Sequence, residues 1–291
     1  MAVRLALGTA QFGMNYGVTN RSGRIADEEM VRIIETARAQ GIDTIDTAIA
    51  YGDAESRLGA VGVEDFRVIT KLPPVPHEKS GRQTDELERS LDRLRIPRVH
   101  AVLLHRPEDL IGRARAPLRD TLDSLLARGL VTRVGVSVYR PEQLDALEAD
   151  GAMAALGVVQ LPFNAFDQRM VQSGWVDRLA SRGVEIHARS VLLQGLLPAD
   201  PSQRPAWCSR WDEAFRAWDT WRIAIGADGI SASLAAARHP SIARVVVGVE
   251  NAAQLKQLAL AAAREDLPVP PGNLCVEDIA LLEPVHWPRS E

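Results

Sequence analysis

Eight short apolar runs, each followed by a longer amphipathic segment, constrain this chain more than any other feature of it. The runs are Leu5–Thr9, Ile42–Asp46, Phe66–Thr70, Ala101–Leu104, Thr132–Ser137, Gly157–Leu161, Val184–Arg189 and Arg244–Gly248. Between them lie helical periods. Asp27 to Gln40 sets Met30, Ile33, Ile34 and Ala37 on one face, with Gly41 as a stop. Arg82–Leu94, Pro117–Arg128, Pro141–Ala149, Met170–Arg182, Asp228–Arg238 and Ala252–Ala263 read in the same way, and Ala54–Gly59 forms a shorter piece. Buried-type strands separated by helices require parallel pairing with right-handed crossovers. Such a sheet is either a closed barrel or an open, doubly wound sheet. Eight strands within 291 residues suit the barrel. The segment after the first run, Gly8-Thr9-Ala10-Gln11-Phe12-Gly13, lacks the three-glycine phosphate fingerprint of a doubly wound dinucleotide fold. The expectation is a single α/β domain over residues 1–291, a (β/α)8 TIM barrel. A long stretch at about 197–227 with four tryptophans and a C-terminal tail at about 265–291 complete it. Trp211, Phe215, Trp218 and Arg222 stand at helical spacing, so part of the long stretch is expected to be a packed helix.

Charge and composition exclude several classes of function. The 34 basic and 38 acidic side chains leave a net charge of −4 with no basic block, which argues against nucleic acid as a partner. No apolar run approaches the ~18 residues of a spanning helix, so no membrane role is expected. Val3 to Ala10 is too short and too quickly followed by polar residues for a signal peptide, and with only two cysteines a reducing, cytoplasmic setting is the expectation. Cys208 and Cys275 make neither a disulfide framework nor a zinc-ligand pattern, and no metal is expected. What remains is a small-molecule substrate, handled by a monomer or small homo-oligomer.

In a barrel the active site lies at the C-terminal ends of the strands. The second run ends at Asp46, with Tyr51 just beyond; the third ends at Thr70-Lys71; the fourth ends at Leu104-His105-Arg106. Adjacent strands are ~4.8 Å apart, so Asp46, Lys71 and His105 are expected to cluster, with Tyr51 on the adjoining loop. Lys71 is one of only three lysines among the 34 basic residues, and it sits at an apolar strand end. A phenol is ordinarily too weak an acid for easy proton exchange at neutral pH, and a nearby ammonium favours its ionised form. An aspartate can hold that ammonium, and a histidine can orient a carbonyl oxygen. The set suits carbonyl reduction, or alcohol oxidation in reverse, with a nicotinamide as hydride source. Two other readings use the same residues: a non-catalytic nucleotide-binding regulatory barrel, and a lyase or aldolase with Lys71 as Schiff-base amine.

Gly8-Thr9-Ala10, Asp46-Thr47-Ala48 with Tyr51-Gly52, Thr70-Lys71 and Leu104-His105-Arg106-Pro107, taken together, resemble the aldo-keto reductase superfamily. The resemblance runs on through Gly135-Val136-Ser137, Gln160 with Asn164, Ser190 with Gln194-Gly195-Leu196-Leu197, and Val247-Gly248-Val249. It implies a (β/α)8 barrel binding a nicotinamide dinucleotide without a Rossmann motif. It also implies Asp46, Tyr51, Lys71 and His105 as the catalytic tetrad, with Tyr51 the proton donor. Ser137 and Gln160 correspond to the groups that hold the nicotinamide carboxamide, and Thr9 lies at the cofactor face of the first strand. Arg189 stands where family members stack an aromatic ring on the nicotinamide. Ser190, Leu192, Gln194 and Gly195 match the loop around the pyrophosphate, and Gly248, Glu250, Asn251 and Gln254 match the adenosine end. A helix N-terminus near Asn251 would suit an anion.

Departures bear on the choice of cofactor. Family habit favours NADP(H), held by Lys or Arg at the adenosine end, where this chain has Gly248, Glu250 and Gln254. Glu250 either accepts from a ribose hydroxyl, favouring NAD(H) or dual use, or simply caps the following helix. Phe12, Tyr16, Tyr51, Arg106 and a tryptophan from Trp207–Trp221 are the candidate pocket wall. Their polarity suits a small, sugar-like or otherwise hydroxylated substrate.

Overall fold

The computed structural model describes residues 2–74, 82–112 and 115–288. Eight parallel strands close in chain order: β1 Leu5–Gly8, β2 Thr44–Asp46, β3 Arg67–Leu72, β4 Val99–Leu104, β5 Val131–Ser137, β6 Val158–Pro162, β7 Glu185–Arg189 and β8 Ile242–Gly248. The ring shuts where β8 pairs β1, from Leu5↔Val245 to Gly8↔Gly248. This is the (β/α)8 barrel that the alternating pattern requires.

Strand alternation sorts the side chains into an outer core and three inner layers. Along β3, Val68 and Leu72 join the core beneath the helices, while Ile69 joins Ala101, Leu103 and Val158 in a separate, fully buried cluster. That cluster plugs the barrel at mid-height. On its N-terminal side Glu185 accepts from Arg67 Nη2 (3.1 Å) and pairs with His100 Nε2 (3.1 Å) and His187 Nε2 (2.9 Å). Arg133 Nε lies 3.6 Å from the same carboxylate. Lys71, two residues beyond Ile69, falls on the opposite, C-terminal side.

The helices form where expected, with small shifts at their ends. Helix α1, Asp27–Ala39, carries Asp27, Glu28 and Glu29 in its first turn, where negative charge complements the helix dipole, and buries Met30, Ile33, Ile34 and Ala37. Helices α2 Ala54–Val61, α3 Arg82–Leu94, α4 Arg115–Ala127 and α5 Pro141–Ala149 follow. The single helix expected over Met170–Arg182 is divided. One turn, Arg169–Gln172, ends before Gly174, whose φ of +76° restarts the chain as α6, Trp175–Ser181. Only glycine adopts that conformation at little cost, so the apolar period survives the break while the hydrogen-bond ladder does not.

The stretch at 197–227 contains helix α7, Asp212–Ala224, and helices α8 Gly229–Ala236 and α9 Ala252–Ala262 flank β8. Phe166, Leu193, Leu196, Leu197, Phe215, Trp218, Leu281 and Trp287 build a second apolar cluster beside the barrel. Trp207, Trp211 and Trp221 pack against it. Trp218 is fully buried within that cluster, while Trp207, Trp211 and Trp221 keep part of their surface exposed. Trp218 Nε1 donates to Leu197 O (2.8 Å), which anchors the loop that follows β7. Glu283 holds the tail to the barrel by accepting from Arg140 Nε (2.6 Å) and Arg169 Nη1 (3.3 Å). Among the described residues no helix is long and apolar enough to cross a membrane.

Candidate active site

Asp46, Lys71 and Gln160 stand inward at the C-terminal ends of β2, β3 and β6, and they meet across the barrel. Lys71, 1% exposed, donates from Nζ to Asp46 Oδ1 (2.6 Å) and to Thr47 O (3.0 Å). Its third direction is the hydroxyl of Tyr51, 3.4 Å away. Gln160 Nε2 donates to Asp46 Oδ2 (2.7 Å), so both carboxylate oxygens are engaged. Thr9 braces the same residue by donating its hydroxyl to Asp46 O (3.1 Å). Burial opposes a charged Lys71, but the Asp46 carboxylate and Tyr51 outweigh it and hold the ammonium above its ordinary pKa. The result is a fixed, positive charge facing a phenol.

His105 completes the group. Its pKa is lowered to about 4, first by burial and then by the Lys71 ammonium, with Asp46 opposing and Arg189 adding. The imidazole is therefore neutral at physiological pH and can donate one N–H to an oxygen without carrying a charge.

All three tyrosines of the chain gather at this end of the barrel. Tyr16 stands 40% exposed beside Tyr51, Tyr139 and Arg189. Gln194 Nε2 lies 3.4 Å from the Tyr16 hydroxyl. Among the described residues, Tyr51 is the one tyrosine of the three with an ammonium within hydrogen-bond distance. Tyr139 was not anticipated from the sequence. It underlies Arg189, whose guanidinium lies 3.9 Å from the ring centroid while Nη2 donates to Val138 O (2.8 Å). The position after Val138 held no signal for this, because the stack joins β5 to β7.

The remaining candidates divide. Ser137 and Gln160 are register partners on β5 and β6, both nearly buried, and Gln160 Oε1 is left for a donor. The loop after β7 is held in an uncommon backbone conformation, with Ser190, Leu193, Gln194 and Gly195 all at positive φ. At Gly195, φ +93°, an added Cβ would fall 2.0 Å from Thr19 Oγ1. Non-glycine residues at such angles each cost on the order of 1 kcal/mol and cluster where a ligand is clamped. Leu192 packs against the barrel core. Thr47 Oγ1 is buried beside Asp46 with no protein partner. Phe12 is corrected from pocket wall to core: it is fully buried, and Arg57 donates to its carbonyl. Arg106 is exposed, 3.7 Å from Asp109.

At the far end Asn251, not Glu250, caps α9, accepting from Gln254 N (2.9 Å). Gln254 Oε1 accepts from Glu250 N (2.7 Å), and Ser22 Oγ donates to Glu250 Oε2 (3.0 Å). The helix end that looked open to an anion is already engaged, because Glu29 Oε1 accepts from Ala252 N (2.7 Å). Glu29 lies 223 residues away in sequence, among acidic neighbours that read as an ordinary first helical turn.

The sequence profile of the Aldo/keto reductase family matches residues 4–268. The chain belongs to the aldo-keto reductase family. Members of it use nicotinamide cofactors in oxidoreductase chemistry. Among curated relatives, the aldo-keto reductase YhdN of Bacillus subtilis is 28% identical over 190 residues, 59% of this chain and 53% of that protein. A 6-dehydroglucose reductase of Agrobacterium fabrum is 34% identical over 137 residues, 40% of this chain and 46% of that protein. The chain thus spans about half the length of these curated relatives. Solved structures extend the likeness of fold. An aldo-keto reductase from Bacillus halodurans aligns with a TM-score of 0.69 at 18% identity, over 92% of this chain and 88% of its own. The glycerol dehydrogenase of Gluconobacter oxydans aligns at 0.67 with 22% identity, over 100% and 94%.

Proposed function

We propose that this aldo-keto reductase interconverts a carbonyl and a hydroxyl on a small polar, sugar-like molecule, with Tyr51 as the proton donor. One observation carries the reading: a buried ammonium, bonded to Asp46, stands 3.4 Å from the Tyr51 hydroxyl at the mouth of the barrel. When bound, a dihydronicotinamide would supply hydride to the carbonyl carbon. Tyr51 gives its proton to the carbonyl oxygen, closing the product as an alcohol, and regains a proton from solvent. Lys71 stabilises the phenolate left behind, and Asp46 fixes Lys71 in place. Neutral His105 donates a hydrogen bond to the carbonyl oxygen and aligns it with Tyr51. In oxidation each proton runs the other way.

The donor set fits a dinucleotide. Gln160 Oε1 and Ser137 can hold a carboxamide, the positive-φ loop from Ser190 to Gly195 can wrap the pyrophosphate, and Gly248, Glu250, Asn251 and Gln254 line the adenosine end. Arg189, its guanidinium 3.9 Å over the centre of the Tyr139 ring, would offer its plane to the nicotinamide. Tyr16 and Arg106 remain as pocket-wall candidates for the substrate. The relatives named for 6-dehydroglucose and glycerol support a hydroxylated substrate. A Schiff-base role for Lys71 is disfavoured, because an ammonium held charged with three oxygen partners is a poor amine nucleophile. The test is Tyr51→Phe with a panel of small aldehydes and keto-sugars. Turnover should fall by about 10²–10⁴-fold while dinucleotide affinity is unchanged; a variant that still turns over at the parent rate removes Tyr51 from the acid role.

A further inference from the structure

We propose that Glu29 and Glu250 tune the adenosine end of this site to NAD(H) and against the 2′-phosphate of NADP(H). The inference rests on the oxidoreductase reading above and concerns which dinucleotide that site accepts. The strand ends follow one another around the mouth, so a ligand that begins at Ser137 and Gln160 on β5 and β6 and passes the loop after β7 arrives next at the turn between β8 and α9. One short segment of chain spans those last two stations. Val18 N donates to Gln194 Oε1 (3.1 Å) and Thr19 Oγ1 to Gln194 O (3.0 Å), while Ser22 reaches Glu250. The segment between them is a tight turn, in which Asn20 N donates to Gly17 O and Asn20 Oδ1 accepts from Ser22 N and Gly23 N.

At that turn a phosphate would look for backbone N–H groups and cations; three of those N–H groups and the two arginines Arg24 and Arg32 are already engaged, leaving the exposed Arg21 and Lys256. Glu29 Oε1 occupies Ala252 N–H, Asn251 occupies Gln254 N–H, and Gln254 Oε1 occupies Glu250 N–H. The donation from Ala252 is the largest cause holding the Glu29 pKa below its ordinary value, so the group there is a carboxylate. The nearest cation on α1, Arg32, is bonded to Glu29 through Nε (2.8 Å) and Nη2 (2.5 Å). Arg24 is paired with Asp53 (2.6 Å). A 2′-phosphate would displace one carboxylate and stand against the other. A ribose hydroxyl instead finds an acceptor, since Glu250 Oε2 takes Ser22 while, among the described residues, no donor meets Oε1. Arg21, exposed and next to Ser22, is the remaining basic side chain on the strap.

The test is titration of the full chain with NADH and NADPH by quenching of tryptophan fluorescence, repeated with 5′-AMP and adenosine 2′,5′-bisphosphate to read the adenosine end alone. The parent protein should bind NADH at least about tenfold more tightly than NADPH. Glu29→Gln keeps an acceptor for Ala252 N–H, and it should improve NADPH binding by about threefold to tenfold at low salt with little change for NADH. Glu250→Gln should improve NADPH similarly. NADPH bound as tightly as NADH by the parent, or variants that move both cofactors equally, would overturn the inference and leave the oxidoreductase reading standing. So would Arg21→Ala weakening NADPH alone, since that would make Arg21 a phosphate receptor. Failure of either dinucleotide to bind would instead remove the oxidoreductase reading, and the inference with it.

Discussion

Replacing Lys71 with methionine isolates the electrostatic core of the proposed chemistry. Methionine approximates the volume and apolar stem of lysine but has no charge. At 3.4 Å, a unit charge acts on the phenolate oxygen with about 5 kcal/mol at an effective dielectric of ~20, or three to four decades in rate. Asp46, bonded to the same ammonium at 2.6 Å, cancels part of that field at the phenol, so a loss of about 10²–10³ in kcat is expected. Stability should fall as well. Removing one member of a buried ion pair usually costs ~3–5 kcal/mol, and here Gln160 Nε2 still partners Asp46 Oδ2, which places the cost at the lower end. The assay is single-turnover oxidation of the bound dihydronicotinamide by stopped flow, beside thermal unfolding and dinucleotide titration of the same preparation. A folded Lys71→Met protein that binds the dinucleotide normally and keeps more than about a tenth of the parent kcat would refute the argument, because no other cation lies within hydrogen-bond distance of Tyr51 among the described residues.

Two further outcomes follow from buried charge. His105 has its folded pKa lowered from 6.5 to about 4, so the unfolded chain binds the extra proton first on acidification. Its contribution to stability is complete above the unfolded value and is lost as pH falls from about 6.5 towards 4; His105→Gln should flatten the denaturant midpoint over that window, and an unchanged slope would contradict the assignment. Glu185, held well below the usual carboxylate range by His100 and His187 despite its burial, is the counter-ion for the lower layer of the barrel. Glu185→Ala should destabilise by ~3–5 kcal/mol in urea while kcat measured well below the midpoint stays near the parent value, since the Ile69, Ala101, Leu103 and Val158 plug separates it from Tyr51. A parallel fall in kcat would show that the two layers are coupled.

The sequence carried the barrel because parallel strands buried on both faces leave short apolar runs, and eight of these alternate with amphipathic helical periods. It carried Asp46, Lys71 and His105 for the same reason: each is a polar residue at the end of such a run, where chain order alone makes strands two, three and four neighbours. The broken helix at Gly174 was harder to read, because the apolar period continues across a residue whose backbone angle ends the ladder. Phe12 looked like a mouth residue from its position after the first strand; its burial depends on how that turn folds beneath α2 and is stapled by Arg57.

Local sequence thus fixed which residues point into the barrel and in what order they circle it, since period-two alternation and strand order are properties of neighbours along the chain. Tertiary structure alone decided what those residues meet. Glu29 on Ala252, Ser22 on Glu250, Arg189 on Tyr139 and Trp218 beneath the loop after β7 join segments between 21 and 228 residues apart. A carboxylate has the same pattern in sequence whether it faces water or the end of a distant helix. Only closure of the barrel brings the partner within hydrogen-bond reach and gives the charge its role.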